Sequence, residues 1–139
     1  MRYHVRSRGA ATDAVEVCLA DTTGELSRLL QLGEVVFVGK SLPPHTDGQT
    51  PVEAAGLGRA VVFGPGMANF RVIAEALRAA GAASRVRDAA ALEAEVVALL
   101  DDPTRRAAMA AAGTAWHVAN RGAVARTLAA LREQLGLPD

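Results

Sequence analysis

Cysteine is nearly absent from this sequence. Cys18 stands alone, which excludes an internal disulfide and suits a reducing compartment. It lies in the apolar run from Ala14 to Ala20, where a thiol is expected to fill a small core position. Net charge is also lacking: 15 basic side chains balance 15 acidic ones. That balance argues against a nucleic-acid partner held by phosphate neutralisation. Lysine is reduced to Lys40, an arginine bias that a GC-rich genome explains without any phosphate-binding role. No stretch approaches the ~20 apolar residues of a membrane span. Met1-Arg2-Tyr3-His4-Val5 lacks the apolar centre of a signal peptide. These signs predict a soluble, cytoplasmic piece. The glycine spacing matches neither GxGxxG nor the Walker lysine loop, which disfavours a dinucleotide dehydrogenase or a P-loop NTPase. His4, His45 and His117 are far apart in sequence and no acid pair has ligand spacing, so no metal site is predicted.

What is present is an alternation of short β-branched runs with helical patterns. With 139 residues, half of them apolar, the chain can close one hydrophobic core. Residues 1–13 read as an irregular polar segment and 14–139 as one α/β domain. Val15 to Leu19 reads as a strand, Gly24 to Leu32 as a short helix with Leu26, Leu29 and Leu30 on one side. Val35-Val36-Phe37-Val38 is a continuous apolar run, the pattern of a parallel strand buried on both faces. Pro51 to Gly58 predicts a helix, Ala60 to Phe63 a second buried strand. Phe70, Ile73, Ala74 and Leu77 have helical spacing, with Arg71, Glu75 and Arg78 opposite. Ala82 to Val86 is a weak strand. Asp88 caps a helix turning Leu92, Val96, Leu99 and Leu100 inward. Asp102-Pro103 opens a helix to about Asn120, and a last helix runs from Ala123 to Leu135. Such alternation predicts a doubly wound parallel sheet, Rossmann-like, with a helical C-terminal tail.

Sheets of this kind bind ligands beyond the carboxyl ends of their strands, so three loops stand out. The first, Asp21-Thr22-Thr23-Gly24-Glu25-Leu26, suits an anionic group approaching backbone amides; a plain capping box of Thr22 with Glu25 also explains it. The second, Gly39 to Thr50, exceeds the usual ~2–6 residues of an α/β connection. There Thr50, Pro51 and Glu53 make another capping box, while the Glu53 carboxylate is also suited to accept hydrogen bonds from ribose hydroxyls. His45 in that loop is either a proton donor, a phosphate contact or simply solvated. In the third loop, Gly64 to Phe70, two glycines and Pro65 fix a tight turn and Asn69 is placed to cap the next helix. Gly66 and Met67 are placed to lie against a base or sugar.

The ordered set of segments resembles one family. Asp21 to Leu26 is similar to the DTxGEL segment of the 3-deoxy-D-manno-octulosonic acid (Kdo) transferases, which are GT-B glycosyltransferases using CMP-Kdo. Val36 to Leu42 resembles that family's VFVGGSL, Gly48 to Ala55 its GG(H/Q)NPLEPA, and Gly58 to Phe70 its GKPVLFGPxxxNF. Asn120-Arg121-Gly122-Ala123 resembles its ANRGA-like stretch. The sequence departs at Lys40, where the family has a second glycine, and at Thr50 and Ala55, where it has asparagine and proline. The loop from Ser41 to Glu53 is one residue longer.

The resemblance implies the donor-binding C-terminal half of a GT-B enzyme. It implies a phosphate near Gly24, Glu25 and Leu26, a ribose on Glu53, and loop contacts from Ser41, Gly48, Gln49 and Thr50, with Gly66 and Met67 completing the nucleotide site. No cofactor is expected besides the substrate CMP-Kdo. The catalytic base and the acceptor surface for lipid A precursor belong to the family's N-terminal half, which has no counterpart here, so no catalytic residue is expected in this chain and the chain alone is expected to be inactive. In the full-length enzyme the resemblance implies a place at the cytoplasmic face of the inner membrane, in lipopolysaccharide core biosynthesis. Two other readings stand beside it: a stand-alone nucleotide-binding or regulatory module, and a GT-B domain using a UDP-sugar.

Overall fold

The computed structural model describes residues 1–11 and 14–136. Its strands are all parallel and lie in two sheets. The smaller pairs β1 (Tyr3–Val5) with β2 (Val17–Leu19), His4 opposite Cys18. The larger has the order β3 (Val35–Phe37), β4 (Ala60–Phe63), β5 (Ala83–Arg85). Helices α1 (Leu26–Leu30), α2 (Val52–Gly56), α3 (Arg71–Ala79), α4 (Ala89–Asp101), α5 (Pro103–Ala119) and α6 (Ala123–Leu135) complete the chain.

The larger sheet is organised by β4, whose four residues are all buried. Alternate side chains of a strand face opposite ways, and both directions are filled. Val61 and Phe63 pack with Ala54 and Ala55 of α2 and Ala74 and Leu77 of α3. Ala60 and Val62 pack with Leu99 of α4 and Met109 of α5. Helices on both faces of a parallel sheet are the doubly wound arrangement that the alternation predicts. On α3 the expected division holds: Ala74 and Leu77 are buried, while Arg71 and Arg78 face out. The Asp88 carboxylate accepts from the Ala91 amide at 2.8 Å and caps α4. The Asp102 carboxylate accepts from the Arg105 amide at 2.9 Å ahead of Pro103.

Several expectations are corrected. Tyr3–Val5 is a strand and Arg6–Arg8 a 3₁₀ turn within the segment read as irregular; Thr12 and Asp13, also in that segment, lie outside the described residues, as do residues 137–139 of the domain read after it. Cys18 is exposed, because β2 carries no covering layer and all three of its residues are open to solvent. The run at β3 is not sealed on both faces: β3 is the edge of its sheet, and Phe37 is 36% exposed. Leu100 is 50% exposed where Leu99 is buried, since α4 turns only a narrow stripe inward. Asn69 falls inside a 3₁₀ turn (Ala68–Phe70), and α3 begins at Arg71 without a side-chain cap.

Candidate functional site

The first and second loops singled out in the sequence meet in a cleft beside β3, lined by Leu26 together with Gln49 and Thr50. The second and third are tied to each other. Ser41 is fully buried; its hydroxyl donates to the Val38 carbonyl at 2.5 Å and accepts from the Gly64 amide at 2.8 Å. The Gly66 amide donates to the Ser41 carbonyl at 2.7 Å, the Gly48 amide to the Gly66 carbonyl at 2.9 Å, and the Ala68 amide to the Thr46 carbonyl at 3.0 Å. Asp47 and Met67 form an antiparallel bridge. This contact explains the two glycines of the third loop. A Cβ on Gly64 would collide with the Ser41 carbonyl oxygen, and one on Gly66 with the His45 carbonyl oxygen. Glycine is required there for backbone-to-backbone approach.

Between α1, β3 and α2 the surface opens into a cleft of about 290 Å³ lined by Leu26, Leu30, Val36, Phe37, Val38, Gly39, Gln49, Thr50, Glu53 and Ala54. Its floor is apolar and its polar groups come from the start of α2. The cleft therefore brings together Leu26, Gln49, Thr50 and Glu53 of the residues expected from sequence. Gly24 and Glu25 precede Leu26 in the chain but are not among the residues lining the cleft. Ser41, Gly48, Gly66 and Met67 lie elsewhere: all four are buried in the loop junction, and Met67 belongs to the core beneath β4. His45 is exposed in the same loop.

Neither capping box forms. Thr22 donates to the Glu25 carboxylate at 2.5 Å, and Glu25 also pairs with the Arg6 guanidinium at 3.0 Å. Glu25 is itself the residue before α1, with no side-chain cap. The Thr22 hydroxyl, then the Arg6 cation, hold the Glu25 carboxyl below its ordinary value of 4.5. Asp21 is likewise lowered from 3.8, first by the Ser7 hydroxyl and then by the Ser7 amide. Glu53 does not reach back to cap α2. Its carboxylate accepts instead from the Ser27 hydroxyl of α1, while the Val52 amide makes a long 3.4 Å contact to the Thr50 hydroxyl. Ser27 thus positions the one carboxylate of the cleft lining, from 26 residues away. Arg59 adds a second tie that sequence reasoning missed, donating to the carbonyls of Leu57 at 3.1 Å and Gly33 at 3.2 Å and so joining the ends of α2 and α1.

The turn after β3 holds Lys40 at φ 57°, alone among the described non-glycine residues in having positive φ. That conformation costs a residue with a side chain about 1 kcal/mol relative to glycine. The Lys40 ammonium pairs with Asp47 at 3.6 Å. Among the described residues no group of three His, Cys, Asp or Glu side chains is placed to hold a metal ion, and no helix is long and apolar enough to cross a membrane.

No protein-family model matches the chain. A curated 3-deoxy-D-manno-octulosonic acid transferase of Bordetella pertussis is 38% identical over 138 residues, which are 98% of this chain and 32% of the relative. The crystal structure of the C-terminal CMP-Kdo binding domain of WaaA from Acinetobacter baumannii superposes with a TM-score of 0.75 and 30% identity, over 81% of this chain and 58% of that one. The chain thus spans about a third of the curated relative and somewhat over half of the solved domain. By sequence along almost its whole length, and by a Rossmann-like α/β fold, it is a relative of the Kdo transferases and corresponds to part of their C-terminal domain.

Proposed function

We propose that this chain carries the donor-binding part of a glycosyltransferase that uses CMP-Kdo and, as a full-length protein, delivers Kdo to a lipid A precursor. The observation that carries the reading is the cleft, where Glu53 stands at the start of α2 over an apolar floor in a relative of CMP-Kdo-binding domains. In this reading the Glu53 carboxylate accepts hydrogen bonds from the ribose hydroxyls, as a carboxylate does in dinucleotide sites. Ser27 keeps that carboxylate oriented. The base and sugar rest on Leu26, Leu30 and Phe37, with Gln49 and Thr50 supplying polar contacts and the Gly24-Glu25 turn meeting the phosphate. Ser41, Gly48, Gly66 and Met67 serve the site from within, by holding the second loop against the third.

The chemistry needs more than this. Sugar transfer requires an acceptor held against the donor and a group to take the acceptor's proton, and in this reading both belong to the N-terminal half. The chain alone is then expected to bind nucleotide without transferring sugar. In the full-length protein the site would work at the cytoplasmic face of the inner membrane.

Nucleotide selectivity tests the reading. Titration of the chain with CMP, UMP and AMP should show CMP binding tightest, with Kd on the order of millimolar, about −4 kcal/mol. Tighter binding of UMP would instead favour a UDP-sugar donor, which the Lys40 and Thr50 departures leave as the second reading. Equal response to all three would reduce the chain to a module without donor specificity. Kdo transfer by the chain alone would contradict the assignment of the chemistry to the other half.

A further inference from the structure

A nucleotide in the cleft brings a negatively charged phosphate, and the residues lining the cleft include one carboxylate, Glu53, and no cation. Phosphate recognition calls for a cation or a set of free amides. In the reading above the Gly24-Glu25 turn offers the phosphate backbone amides but no cation, and the amides of Gly48, Gly64 and Gly66 are engaged within the loop junction. A neighbouring cation is Lys40, which directly follows the cleft residue Gly39 in the turn after β3. Three features single it out. It is the chain's one lysine. It is held in a left-handed conformation that favours glycine. Its ion-pair partner is Asp47, at 3.6 Å, with both side chains more than half exposed. Asp47 lies two residues before the cleft residue Gln49 and is fixed by its bridge to Met67. An exposed pair at this distance is held weakly and is easily exchanged for a more highly charged anion. Residues kept in sparsely populated backbone conformations concentrate at ligand sites, where the surrounding structure maintains them.

We propose that Lys40 is a phosphate-binding residue of the donor site, its ammonium exchanging the Asp47 carboxylate for the nucleotide phosphate. The proposal rests on the donor-site reading above and adds a specificity element to it: a cation on the second loop that distinguishes nucleotide from nucleoside. Asp47 acts as an internal competitor that keeps the lysine positioned at the cleft mouth. A turn that spends a glycine position on a lysine thereby gains charge recognition at the carboxyl end of β3.

The test compares CMP with cytidine on the whole chain and on two variants. Lys40→Gly accepts the left-handed turn, so it retains the fold while losing the charge. The expected result is CMP affinity about 10-fold lower in Lys40→Gly, the size of one charge-assisted hydrogen bond, with cytidine affinity unchanged. Asp47→Asn, which removes the competing carboxylate, should strengthen CMP binding about 2- to 3-fold and leave cytidine alone. The CMP preference of the unaltered chain should also shrink as salt is raised. Unchanged CMP affinity in Lys40→Gly, or an equal loss for CMP and cytidine, would overturn the proposal while the donor site stands. If the unaltered chain binds neither compound, the donor-site reading itself fails and takes this proposal with it.

Discussion

At the scale of single residues, the site depends on a few buried polar contacts whose partners are distant in sequence. Ser41 is the clearest. Its hydroxyl joins the Val38 carbonyl to the Gly64 amide with no solvent access. Ser41→Ala leaves the Gly64 amide buried and unsatisfied, and should cost about 2 kcal/mol, read as a lower urea midpoint at unchanged m-value. The family resemblance presents Ser41 as a ligand contact; that its hydroxyl is consumed by the fold depends on a loop 23 residues away. Glu53 shows the same limit. Its neighbours Thr50 and Pro51 spell a capping box, yet its partner is Ser27 on another helix. Two carboxylates give a pH signature. Asp21 and Glu25 have folded values below their ordinary ones, so the unfolded chain binds more protons across the intervening range. Stability from their contacts is present above the ordinary values of 3.8 and 4.5 and lost as pH falls through the lower folded ones. Amide signals of Ser7 and Thr22 should therefore change with midpoints below the ordinary values of 3.8 and 4.5 for Asp21 and Glu25; midpoints above those values would contradict these contacts.

At the scale of elements, some local signals hold, whereas the two capping boxes and the Asn69 cap do not form. Ala60 to Phe63 is all apolar and forms the central strand, and Asp88 and Asp102 cap the helices they precede. What needed non-local knowledge was not legible. Tyr3–Val5 has no apolar run to mark it and exists as a strand through its pairing with Val17–Leu19. The exposure of Cys18 follows from the absence of a layer over β2, which its own apolar neighbours do not reveal. The packed contact of the second and third loops is the element on which the site rests. Gly66→Ala would push a methyl into the His45 carbonyl and should destabilise the fold by about 2 kcal/mol, with shift changes spreading into residues 41–50. A stable variant with an unmoved second loop would show that the close approach is not needed.

At the scale of the whole molecule, the parallel strands stand in two sheets rather than one, and β3 ends the larger sheet with an apolar run. Phe37, Leu26, Val17 and Leu19 are exposed. An uncovered strand edge beside apolar side chains invites pairing. Sedimentation over a concentration series should show self-association that Phe37→Lys weakens, and a monomer throughout the series would remove the edge as a contact. The family resemblance is legible because it rests on short ordered segments, Asp21 to Leu26 through Gly58 to Phe70, and the chain as a whole is 38% identical to the Bordetella pertussis transferase. Which of those residues face a ligand was less legible, because Ser41, Gly48, Gly66 and Met67 are as much a part of the packed interior as of the loops. The central claim is that the cleft around Glu53 binds the cytidine nucleotide. The most direct measurement is an amide chemical-shift titration with CMP of the unaltered chain and of Glu53→Ala. The account predicts saturable shifts in residues 22–26, 36–41 and 48–54 that Glu53→Ala abolishes, whereas identical shifts in both proteins, or shifts centred away from the cleft, would contradict it.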